Sequence, residues 1–132
     1  MSFIDELLQD IPLPNMIKVR QHFASPNEIF DIKAVVKQEL NKPEIKATIK
    51  PGMTIAVGIG SRGIAEIPRI AQAVIAELKA LGAIPFAVPA MGSHGGATAQ
   101  GQRHVLENLG MTEEILGCEI RASMETVKLG EL

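Results

Sequence analysis

Apolar residues along the chain form two kinds of pattern, stripes at spacings of three and four and short unbroken runs, and the two alternate. The stripe Ile29, Ile32, Val35, Val36 and Leu40 predicts a helix that ends before Pro43. Ahead of it stands Ser25-Pro26-Asn27-Glu28, a capping box with proline at the first helical position. Pro51-Gly52 predicts a turn, and the β-branched run from Met53 to Ile59 predicts a fully buried strand. Ile67, Ile70, Ala71, Val74, Ile75, Leu78 and Leu81 then share one helical face, closed by Gly82. The next apolar run, Ala83 to Ala90, contains Pro85 and Pro89, which suits a strand near a sheet edge or one with an irregular end. A helix from Thr98 to Leu109, a short helix opening at Thr112 and a strand around Cys118 to Ala122 complete the series. Strand and helix alternate throughout, so the sheet is expected to be parallel with right-handed crossovers.

The two ends differ from this pattern. Residues 1–24 hold an amphipathic stretch (Phe3, Ile4, Leu7, Leu8), then Pro12 and Pro14, then Met16 to Val19 with strand character. They are expected to form an arm or edge element ahead of a domain spanning 25–132. Residues 123–132, SMETVKLGEL, read as the opening of a further element. The domain is therefore expected to be the front part of a longer, two-domain protein.

Composition narrows the function classes. At 132 residues and 46% hydrophobic, the chain suffices for one domain with a real core. Thirteen basic and 15 acidic residues, with no long run of either sign, announce neither a nucleic-acid nor a membrane surface. Four Phe and no Tyr or Trp leave no stacking platform for bases. A single cysteine, Cys118, no secretory signal and no apolar run of about 18 residues suggest a reducing, cytoplasmic setting.

The candidate chemistry lies where glycines cluster, at 58–63 and 92–101. Both clusters follow a predicted strand and precede a helix, the rim at which open α/β sheets bind ligands. The first carries Gly60, Ser61 and Arg62, and the second carries Ser93, His94 and Gly95. If the two strands are neighbours, Arg62 and His94 emerge on one rim. Arginine presents a planar, permanently charged fork suited to a carboxylate or phosphate. Histidine exchanges a proton near neutral pH, and flanking glycines let a substrate approach it. Ser61 and Ser93 suit turn or anion contacts better than nucleophilic roles, since no G-x-S-x-G surrounds them. His22 and His104 attract no role, and no metal-ligand spacing or Ser-His-Asp set is evident.

Residues 58–63, GIGSRG, match the dinucleotide pattern G-x-G-x-x-G. That pattern also requires an acidic residue about 20 residues on and the third glycine in the first helical turn. The following strand ends in Val88-Pro89-Ala90-Met91 without a carboxylate, and Pro68 delays the helix start past Gly63. An NAD-dependent enzyme is thereby a minor alternative, beside a non-catalytic module for an anion or phosphometabolite.

VGIGSRGI, the helix ending AELKALGA, and VPAMGSHGGATAQGQ together resemble the N-terminal domain of the nickel-dependent lactate racemase family, in particular its longer relatives. The likeness covers residues 15–132, and GSHGGAT is its most specific part. It implies a Rossmann-like, three-layer α/β domain with a mainly parallel sheet. It further implies an isomerase that racemises or epimerises 2-hydroxy acids through a nickel-pincer nucleotide held on a lysine of a second domain, so that this chain alone is inactive. By position His94 resembles the acid/base histidine and Arg62 the arginine that anchors the substrate, with Gly60, Ser61, Ser93 and Gly95 as further contacts. The family's Asp-x-Thr-Arg pattern is absent, Arg62 following Ile59, Gly60 and Ser61, and Gly95 stands where a second basic residue tends to follow the histidine. Both departures argue against lactate itself. A severed domain interface would also leave an apolar face open to homo-oligomer formation.

Overall fold

The computed structural model describes residues 15–24, 28–128 and 130. Its elements run α1 (Ile32–Leu40), α2 (Pro43–Lys46), β1 (Thr54–Ile59), α3 (Ile67–Ala80), β2 (Ile84–Pro89), a 3-10 turn (His94–Ala97), α4 (Ala99–Asn108) and α5 (Glu113–Leu116). The protein is thus mixed helix and strand, and β1 and β2 pair in parallel from Thr54 opposite Ile84 to Ile59 opposite Pro89. Among the described residues no helix is long and apolar enough to cross a membrane.

The N-terminal part corrects two expectations. Ser25, Pro26 and Asn27, like the stretch from Phe3 to Leu8, lie outside the described residues, while Glu28 and Ile29 are exposed and not helical. The first helix instead opens at Ile32, where the Asp31 carboxylate accepts from the Ala34 N–H at 2.9 Å. This cap sits at the part of the stripe that packs along α3, where Asn41 Nδ2 donates to Glu77 Oε1 at 2.5 Å. Pro43 ends α1 and, as the first helical residue, opens α2. Met16 to Val19 forms no strand: Met16, Ile17 and Val19 are largely exposed, with no strand to pair with among the described residues.

The strand β1 is not fully buried. Alternate positions divide it, with Ile55 and Val57 half-buried and Ile59 buried, whereas Thr54, Ala56 and Gly58 are exposed. The inner residues Ile59 and Ala87 join Ala71 and Ile75 of α3, Leu106 of α4 and Leu116 of α5 in one core with Met91, Met111 and Ile120. Full burial of side chains such as Ile75 and Leu106 stabilises by about 1.5–3 kcal/mol each. No described helix covers the opposite face, where Ile84 is exposed and Phe86 and Val88 are half-buried. The described residues therefore make two layers.

The expected third strand shrinks to a single parallel bridge between Ala87 and Ile120. Ala87 N–H donates to Glu119 O at 2.8 Å and Ala87 O accepts from Arg121 N–H at 2.9 Å, so the odd-numbered residues of β2 face that side. Pro85 and Pro89 flank Ala87 there, and neither has an N–H to give. Side chains hold the segment instead. Glu113 Oε1 accepts from Ile120 N–H and pairs with Arg103, both at 3.0 Å, and Arg103 also pairs with Glu107. The Ile120 hydrogen bond, helped by Arg103 and opposed in part by burial, keeps the Glu113 carboxyl below the ordinary carboxylate range.

Candidate functional site

Two strand ends deliver the two glycine loops side by side. The register ends with Ile59 opposite Pro89, and Ala90 N–H donates to Ile59 O at 2.8 Å, so Gly60 and Met91 leave the sheet together. The first loop then runs irregularly to Glu66, whose left-handed backbone (φ 59°) precedes α3. Because α3 begins at Ile67, Gly63 lies outside its first turn, unlike the third glycine of a dinucleotide loop.

The second loop is held more firmly. Met91 is buried, and Gln102 of α4, only 5% exposed, donates from Nε2 to Gly92 O at 2.6 Å. Gly95 lies against the first turn of α4 in the left-handed region (φ 64°). A Cβ on Gly101 would stand 1.8 Å from the Gly95 carbonyl oxygen, and one on Gly95 would stand 2.4 Å from the Gly101 carbonyl carbon. Both are far inside contact, so two backbones meet where no side chain fits. Thr98 finishes the joint, its hydroxyl donating to Gly95 O at 3.1 Å and accepting from Gly101 N–H at 3.0 Å. The Gly101 amide at the start of α4 is thus taken by the Thr98 cap.

Across the two loops, Ser61 Oγ and His94 Nδ1 lie 2.6 Å apart, joined by a hydrogen bond between half-buried side chains. Arg62 is exposed and, among the described residues, has neither an ion pair nor a hydrogen bond. Ser93 is exposed, with its carbonyl accepting from Ala97 N–H at 3.2 Å. Gly60 is half-buried and faces the Ala90 carbonyl, while the Gly95 carbonyl is occupied by Thr98. His104 is exposed, its nearest carboxylate being Glu107 at 3.9 Å. From Gly60 an apolar groove of about 150 Å³ runs along β1 and α3, lined by Val57, Ile59, Ile64, Ile67 and Val74.

Gln102 escaped the sequence reading. Its signal was a polar residue at an inward helical position, one turn ahead of the buried Leu106. Among the described residues no three His, Cys, Asp or Glu side chains gather as a metal site. Comparison with protein-family models, curated proteins and solved structures finds no significant match.

Proposed function

We propose that this chain is a Rossmann-like domain forming the substrate side of a 2-hydroxy-acid racemase or epimerase of the lactate-racemase-like kind. One observation carries the reading: the hydrogen bond between Ser61 and His94 joins the two loops beside an arginine that has no partner among the described residues. Arg62 grips the substrate carboxylate with its fork, and His94 takes and returns the proton of the 2-hydroxyl. The groove that starts at Gly60 receives an aliphatic substituent at the same carbon.

Inversion at carbon also needs a hydride acceptor, the chemistry a nickel-pincer nucleotide supplies when bound. The described residues offer no donor set that fits nickel, so their part is confined to holding the acid and moving its hydroxyl proton. The lysine and the metal-binding histidine belong, on this reading, to a second domain, and this chain alone turns nothing over.

The reading is tested by titrating a panel of chiral 2-hydroxy acids into the 15N-labelled chain. The expected result is amide shifts at residues 60–62 and 92–96, with affinity for the bound acid falling at least about tenfold in Arg62→Ala. Binding with no response at either loop would remove the proposal. In the two-domain protein, His94→Ala is expected to slow interconversion by about 10²-fold or more while leaving KM within a few-fold. Unchanged turnover there, with binding intact, would remove the acid/base role of His94.

A further inference from the structure

We infer that Ser61 is a positioning residue for His94, fixing its ring by the Nδ1 edge so that Nε2 is the nitrogen that exchanges protons with the substrate. The 2.6 Å contact is the hydrogen bond made by the Ser61 hydroxyl, and it is the bond made by the His94 ring, among the described residues. This rests on the proposed 2-hydroxy-acid chemistry only for what Nε2 acts upon.

Both partners are delivered by anchored backbone. Ser61 follows the strand end that Ala90 N–H ties to Ile59 O. His94 is bracketed by the Gln102 bond to Gly92 O and by the packing of Gly95 on Gly101. The contact is therefore set by the two loops and does not depend on a long side chain finding a partner.

The chemistry of the partner matters as much as its position. A carboxylate at Nδ1 can only accept, so it holds the ring with a proton on that nitrogen. A hydroxyl oxygen can accept from the same N–H without bringing a charge. For Nε2 to take the substrate's proton its lone pair must be free, so the neutral ring carries its hydrogen on Nδ1 and the Ser61 oxygen accepts from it, and goes on accepting from Nδ1–H once the ring is protonated. The bond thus survives the proton transfer that the site performs, and the ring need not turn between its base and acid states. Ser61 is consumed by this bond, which moves it from the substrate contacts expected of it to their support.

Ring nitrogen shifts of the 15N-labelled chain, read by long-range proton–nitrogen correlation, test this without any substrate. His94→Gln identifies the His94 signals against those of His22 and His104. The neutral His94 ring is expected to hold the Nδ1–H tautomer in the parent chain, to relax to a mixture in Ser61→Ala, and to regain Nδ1–H in Ser61→Thr, which restores the hydroxyl; a parent ring held as the Nε2–H tautomer would overturn the inference. Equal tautomer populations in the parent and Ser61→Ala would overturn the inference. So would a Ser61-dependent burst of nitrophenolate from p-nitrophenyl acetate, which would make Ser61 a nucleophile. The two proposals fail separately. An unresponsive hydroxy-acid titration leaves the ring measurement standing, and an unchanged ring with Arg62-dependent binding intact removes only the positioning role.

Discussion

At Gly101 a single methyl group is a backbone problem. Its Cβ would stand 1.8 Å from the Gly95 carbonyl oxygen, which Thr98 already holds, so relief requires the loop or the helix to move. Gly101→Ala is expected to destabilise the chain by about 2–4 kcal/mol, read as a lowered midpoint in urea, and to break the Ser61–His94 bond. A midpoint unchanged within error would mean that the two backbones do not meet. The glycine clusters were legible in the sequence as strand-to-helix turns, and so was the arrival of Arg62 and His94 on loops at one edge of the sheet. What could not be read was which glycine serves which need. The packing of the Gly95 backbone on α4 was one such need, because a close approach between residues six apart leaves no mark in the letters themselves. Ser61 likewise looked like an anion contact, and its bond to His94 depends on the register of β1 against β2.

At the level of elements, the boundaries of α3, α4, β1 and β2 follow the periodicity within a residue or two, since apolar spacing and caps agree there. The pattern misled where two local signals competed or where pairing needed a partner. α1 opens behind the Asp31 cap and not at Glu28 or Ile29, and the strand around Cys118 to Ala122 met two prolines across the gap. That segment depends instead on Glu113, whose carboxylate receives the Ile120 N–H and pairs with Arg103. A carboxyl whose folded pKa is depressed contributes stability above its unfolded value, and loses it as pH falls through the folded one. The acid limb of the unfolding curve is therefore expected to be steeper in the parent chain than in Glu113→Gln, the two converging below the ordinary carboxylate range of about 4. Parallel curves from pH 7 downward would count against the role of Glu113.

For the molecule as a whole, the helices α3, α4 and α5 join one core with the inner face of the sheet, while Ala56, Ile84, Phe86 and Val88 stand on the other. Arg121 lies over the Phe86 ring at 4.1 Å, a partial cover for an otherwise open apolar surface. A hydrophobic dye is expected to bind the native chain there. Ile84→Thr should lower its fluorescence while changing stability by less than about 1 kcal/mol, because Ile84 is already exposed. Equal dye binding by both chains would place the apolar surface elsewhere. The alternation of strand and helix made the parallel pairing legible, but a third layer cannot be read from periodicity: Met53 to Ile59 is apolar on both sides, and only the arrangement of the other elements decides which side is covered.

The joint between the second loop and α4 also has a consequence in time. With Gly95 packed on Gly101, Thr98 bonded to both, and Gln102 holding Gly92, the loop has few ways to swing alone. Its displacement requires the first turn of α4 to fray, so the rate at which His94 leaves its place is tied to the opening of the amides of Gly101 and Gln102. Slow hydrogen exchange at those two amides would mark a histidine whose rhythm is that of a helix end.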